Sequence, residues 1–251
     1  MRFTRSEILG CEFDAVTQRQ VLDWSREALA GRCSGWLSSV NTAILVGMKP
    51  GSFLKEFTQR SALTLADGQP IVWLSHLLGR PLPERVTGID LVESLSRLAR
   101  DQGKSVYLLG AKDEIVSKSS EHLSAKIEGL KIAGARNGYF SDSEAETVAR
   151  EIRRSGADII FVGMGAPRQE LFLSKYWDTL GVRIAVPVGG SFDVLSGLRK
   201  RAPQWMQASG LEWFYRMIQE PRRLVKRYAV TNTVFTVRAV TELVAHRFRR
   251  A

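Results

Sequence analysis

Asp67 lies in the segment TLADGQPIVW (residues 64–73), just past a short apolar run and just before a glycine that permits a tight turn. A carboxylate at the end of a strand faces the crevice where α/β sheets bind ligands. There it can act as a general base, its proton affinity set by how far it is shielded from water. Asp-Gly is also a common turn pair, so an Asx turn or a helix cap is the competing explanation of the same residues.

Downstream, ERVTGID (residues 84–90) offers Arg85, which can hold a phosphate through two parallel hydrogen bonds, while Asp90 reads as a helix cap without a catalytic role. VGMGAPRQE (162–170) has the form of a glycine-rich loop opening a helix, with Pro167 in the first turn, where backbone N–H groups can receive an anion. It fits neither G-x-G-x-x-G nor the P-loop pattern, which argues against nicotinamide and ATP binding. Gln169 offers an amide to sugar or phosphate hydroxyls. VGGSFDVLSG (188–197) adds a backbone turn at Gly189 and Gly190, then Asp193, an acceptor for ribose hydroxyls.

Other chemistry lacks its residues. No Asp-x-Asp metal clamp occurs, and Asp142-Ser143-Glu144 belongs to SDSE, which reads as a capping box. His76, His122 and His246 stand apart, and no G-x-S-x-G elbow or Cys/His pair is present. The expectation is a site without metal or cofactor that neutralises phosphate with Arg, Lys and backbone amides.

The elements that must position these groups alternate. Short apolar runs at 36–40, 63–66, 105–109, 158–162 and 184–188 read as strands, each followed at once by a polar residue or glycine. Helical spacing marks 90–102, 113–128, 143–154 and 167–180. This order predicts an α/β fold with a Rossmann-like, mostly parallel sheet and helices on both faces. Asn41, Asp67, Gly110, Gly163 to Gln169 and Gly189 to Asp193 should then converge on one rim, at the carboxyl ends of the strands. After Pro203 the pattern is helical only, with helices expected over 205–219 and 222–249, broken at Glu220-Pro221. A boundary near Arg199 divides the chain into an α/β domain (1–198) and a C-terminal helical appendage (199–251).

Charge supports that division. The 251 residues carry a net +10, and twelve Lys and Arg against three Glu from residue 199 onward account for +9 of it. The preceding 198 residues hold 24 basic and 23 acidic side chains. Trp205, Trp213, Phe214, Tyr215, Tyr228, Phe235 and Phe248 are interleaved with the basic residues, which suits a membrane interface or a polyanionic ligand. A solvated helical face or a nucleic-acid groove would use the same residue types. Length and a 44% apolar composition support a sizeable core, and Cys11 and Cys33 form no disulfide framework or zinc site. The polar start MRFTRSEILG does not read as a signal peptide, and no stretch reaches the roughly 18 apolar residues of a membrane span. A cytoplasmic protein is expected.

The ordered segments SSVNTA, LADGQPIVW, RVTGID, VYLLGA, FVGMGAPRQE, VGGSFD, RAPQW and EWFYRMIQEPRRLVKRY, spread over residues 38–228, resemble the WecG/TagA/CpsF glycosyltransferases. The resemblance implies inverting transfer of a hexosyl unit (N-acetylmannosamine, its uronate, or glucose) from a UDP-sugar to a polyprenyl-diphosphate-linked saccharide. The setting would be the cytoplasmic membrane face, in the biosynthesis of teichoic acid or another surface polysaccharide. It implies that Asp67 is the base that deprotonates the acceptor, and that Asn41 and Gln169 hold the sugars. Ser39 stands where the family commonly has Thr. Tyr139, Asp193 and the loops at Gly165 and Gly189 would surround the donor nucleotide. Arg216, Arg223 and either Lys226 or Arg227 would close over the site and neutralise diphosphate. After Asn41 the chain has Thr-Ala where some members have Pro-Glu, a difference that bears on acceptor or donor preference.

The basic appendage would on this reading meet anionic lipid and diphosphate, with nucleic acid not a partner; a homo-oligomer is compatible with the sequence. The rival is a non-enzymatic membrane- or RNA-binding protein in which charge alone suffices and Asp67, Asn41 and Gln169 are dispensable. A sugar-nucleotide epimerase or oxidoreductase would need the missing dinucleotide fingerprint.

Overall fold

A computed structural model describes residues 3–250, without the side chains of Arg223, Arg249 and Arg250. Six strands form one parallel sheet in the order β4-β3-β8-β7-β5-β6. They are β3 (Gly35–Val40), β4 (Leu63–Ala66), β5 (Ser105–Gly110), β6 (Lys131–Arg136), β7 (Ile159–Gly163) and β8 (Ile184–Pro187). Five of these are the strands the apolar runs predict. The sixth, β6, escapes that reading because Gly134 interrupts its apolar pattern. A Cβ at Gly134 would lie 2.5 Å from the Tyr107 ring, so the strand needs glycine where that ring passes.

Both faces of the sheet are covered, which is why its central strands are apolar at successive positions. Ile159 and Phe161 of β7 point into a core shared with α1 (Gln18–Leu29), α5 (Gly88–Asp101), α6 (Asp113–Lys126) and α9 (Ser191–Leu195). Ile160 and Val162 point the other way, toward α3 (Phe53–Gln59), α7 (Ala145–Ser155) and α8 (Arg168–Leu180). A third cluster gathers α2 (Thr42–Gly47), α4 (Gln69–Leu77) and an antiparallel hairpin of β1 (Arg5–Ile8) and β2 (Cys11–Asp14). Asp14 ties this hairpin to the sheet by accepting the Thr64 N–H at 2.8 Å.

The appendage is three helices rather than the two expected. The stretch read as one helix over 205–219 is divided into α10 (Gln204–Ala208) and α11 (Glu212–Gln219). Gly210, at φ +67°, makes the break, and a Cβ there would lie 2.8 Å from the Trp73 ring. The turn before α11 thereby lies against Trp73 of α4, the helix that follows Asp67. The last helix, α12 (Pro221–Arg250), begins at the expected proline and sends Phe235 into the third cluster. Among the described residues, no helix is long and apolar enough to cross a membrane.

Candidate active site

All six parallel strands end on one rim, and the loops singled out from the sequence meet there. Asp67 follows β4 directly, its backbone N–H donating to Val40 O at 2.9 Å. Ser39, buried on the adjoining strand, donates its hydroxyl to Asp67 Oδ2 at 3.2 Å. The turn-or-cap explanation does not hold for this carboxylate: Gly68 occupies the N-cap of α4, which has no side-chain cap.

The Asp67 carboxyl, half-buried at the floor of the crevice, is pushed up to about 6. Desolvation is the main cause; Arg85, the Ser39 hydroxyl and Arg216 pull it down, and Glu212 pushes it further up. A carboxylate poised there is ionised at neutral pH yet basic enough to accept a proton.

Asn41 caps α2, its Oδ1 accepting from Ala43 N at 3.0 Å and Ile44 N at 3.1 Å. Its side-chain NH₂ has no partner among the described residues. Gln169 is buried, and its Oε1 receives Gly165 N at 3.2 Å and Gly189 N at 3.1 Å. In this arrangement it joins the two glycine loops, while its NH₂ donates to Glu170 at 2.8 Å. The ends of β5 and β7 are packed closely: Gly110, at φ +131°, passes so near Gly163 that a Cβ would sit 2.5 Å from its backbone. Tyr139 projects from the loop after β6 and is well exposed.

The appendage crosses this rim through three ion-pair tethers. Arg85 Nη1 meets Glu212 Oε2 at 2.8 Å, both side chains being largely shielded. Arg201 grips Asp90 with two bonds of 2.6 and 2.8 Å. Arg199 spans Asp193 at 3.4 Å and Glu220 at 2.8 Å. Arg216 reaches back over the β8 loop, its Nη2 lying 2.8 Å from where a Cβ on Gly190 would stand. Lys226 and Arg227 are exposed on the opening turns of α12. The Arg223 side chain lies outside the described residues.

Asp90 is not the helix cap that the sequence suggests. Thr87 caps α5, and Asp90 at the third helical position accepts the Thr87 hydroxyl at 2.6 Å. Burial raises its proton affinity, but the bonds from Arg201 and Thr87 outweigh that and hold the carboxyl below its ordinary range. Asp193, expected at a ribose, accepts from Arg199 Nε at 3.4 Å.

A model of the WecG/TagA/CpsF glycosyl transferase family matches residues 6–249. The chain belongs to this family. It is 34% identical over 201 residues to the N-acetylglucosaminyldiphosphoundecaprenol N-acetyl-beta-D-mannosaminyltransferase of Bacillus subtilis (strain 168), covering 80% of this chain and 78% of that one. A protein of the same name from Bacillus spizizenii is 38% identical over 173 residues, 69% of this chain and 66% of its own. One from Staphylococcus aureus (strain MW2) is 30% identical over 220 residues, 87% of this chain and 86% of its own. The protein is therefore a glycosyltransferase, and the non-enzymatic reading is set aside.

In this glycosyltransferase, Glu212 is the residue of the rim that sequence reasoning passed over. Its signal was present: it is one of only three acids in a segment of net charge +9. Its partner Arg85 lies 127 residues away, a separation that local pattern does not bridge.

Proposed function

We propose that the protein transfers a hexosyl unit, with inversion, from a UDP-sugar to a saccharide carried on a polyprenyl diphosphate. N-acetylmannosamine is the sugar, and an N-acetylglucosaminyl-diphospho-lipid the acceptor, that the relatives' names point to. The observation that carries the reading is Asp67, a desolvated carboxylate at the carboxyl end of a parallel sheet, faced by Arg85 and, from α11, by Arg216.

Inversion requires the acceptor oxygen to attack the anomeric carbon opposite the departing UDP. Asp67 takes the proton from the acceptor hydroxyl as the new C–O bond forms. The bond to the donor diphosphate breaks, and its oxygen leaves with the electron pair. Arg216, with Arg223 and Lys226 or Arg227, supplies positive charge to that leaving group. The loops at Gly165 and Gly189 would surround the nucleotide, with Gln169 holding them in register by accepting the N–H of both glycines and Tyr139 at their edge. Ser39 orients the base, and the free amide of Asn41 meets a sugar hydroxyl.

The same helices serve as the membrane contact. Trp205, Phe214 and Ile218 are exposed on α10 and α11 beside basic residues, a composition suited to the headgroup region of an anionic bilayer. Residues 199–251 thus act as cover and peripheral anchor for the 1–198 domain, at the cytoplasmic face of the membrane.

A panel of UDP-sugars with a synthetic prenyl-diphosphate acceptor tests the reading. Transfer from UDP-N-acetylmannosamine and release of UDP are expected; turnover of no UDP-sugar would overturn it.

A further inference from the structure

Glu212 points inward from α11, whose one other charged side chain is Arg216. Its Oε2 lies 2.8 Å from Arg85 Nη1, and the two side chains are only 22% and 14% exposed. Arg85 is held near the crevice floor because its neighbour Val86 donates a backbone N–H to Ala66 O at 2.9 Å, one residue before Asp67. The charged groups that face Asp67 are Arg85 from the loop before α5, Arg201 from the segment before α10, and Glu212 and Arg216 from α11. Ser39 adds a hydrogen bond from β3.

Arg85 and Arg216 both lower the proton affinity of Asp67, and Arg85 carries a counter-ion, Glu212. Left unpaired, Arg85 would stabilise the ionised carboxylate and make it a poorer proton acceptor. A carboxylate on that guanidinium cancels its field, and it arrives only with α11. We propose that Glu212 is a positioning residue for the transfer: by taking up Arg85 when α11 docks, it leaves Asp67 able to accept the acceptor's proton only once the appendage is closed. The inference rests on the reading of Asp67 as the base, and Glu212 itself touches no substrate.

The test is a titration of the full-length protein carrying ¹³C-carboxyl aspartate, with the Asp67 resonance assigned by its loss in Asp67→Asn. Glu212→Gln keeps a hydrogen-bond acceptor for Arg85 and removes only the charge. Its Asp67 midpoint should fall by about half a pH unit or more. Arg85→Gln, which leaves Glu212 in place, should raise the midpoint by a similar amount, and Glu212→Asp should restore the wild-type value. Undocking of α11 would expose Asp67 and lower the midpoint in both variants, so shifts of opposite sign are the signature of the charge effect. The acid limb of kcat/KM should follow the midpoint in Glu212→Gln. Shifts of the same sign, or no shift in Glu212→Gln, overturn the role of Glu212 even if Asp67→Asn is inactive. An active Asp67→Asn overturns the base instead, whatever the titration shows.

Discussion

Ser39 and Asp67 meet across adjoining parallel strands, the serine hydroxyl donating to the carboxylate at 3.2 Å. That bond favours the ionised form and offsets part of the desolvation that raises Asp67. Ser39→Ala should move the acid limb of the kcat/KM profile upward by about half a unit to one unit. Ser39→Thr, which keeps the hydroxyl, should leave the limb in place. A downward move in Ser39→Ala would contradict the assigned bond.

The raised Asp67 also has a stability signature. Its folded value of about 6 exceeds the roughly 3.9 of an unfolded aspartate, so the native state binds the extra proton between those values. Stability from this group is full below about pH 4, declines as pH rises to about 6, and stays reduced above. Asp67→Asn should therefore melt higher than wild type at pH 8 and with little difference at pH 4. Calorimetry at the two pH values checks this, and a lower Tm at pH 8 would be the contrary result.

Arg201 and Asp90 anchor the start of the appendage to the first turn of α5. Two short bonds between side chains about one-third exposed should couple more strongly than an open surface pair. A double-mutant cycle with Arg201→Ala and Asp90→Ala should give a coupling of about 1 kcal/mol or more in unfolding free energy. Additive single effects would show that the pair does not hold the appendage.

Binding to anionic vesicles should separate into two components. Lys226→Ala with Arg227→Ala removes charge worth about 1 kcal/mol per residue near an anionic surface, so affinity should drop several-fold per residue at low salt and little at high salt. Trp205→Ser with Ile218→Ser should weaken binding at both salt concentrations, since apolar insertion is not screened. Vesicle sedimentation measures both, and wild-type affinity in the four-residue variant would remove the membrane role of this face.

Much of this arrangement was legible in the sequence, for a physical reason. A strand buried on both faces is a short apolar run, and the residue after it lies on the ligand rim, so Asn41, Asp67, Gly163 and Gly189 could be placed together without knowing the sheet order. The hairpin was not legible because RSEI and CEFD carry charges on four-residue strands, and their Leu9-Gly10 turn is not a common hairpin pair. The break at Gly210 was hidden because the aromatic side chain it accommodates, Trp73, is distant in sequence. The sequence suggests Gln169 as a ligand contact, but its bonds to two loop amides depend on β7 and β8 being neighbours, which composition does not encode. The +9 segment pointed to anions and lipid; the pairing of one of its acids, Glu212, became visible only when Arg85 was placed beside it.

The central claim is that Asp67 removes the acceptor proton, and the pH dependence of kcat/KM for wild type and Asp67→Asn tests it most directly. The wild-type profile should rise through an acid limb near pH 6. Asp67→Asn should lose that limb and turn over roughly 10² to 10⁴ times more slowly. Near-wild-type turnover in Asp67→Asn, with the limb retained, would contradict the account.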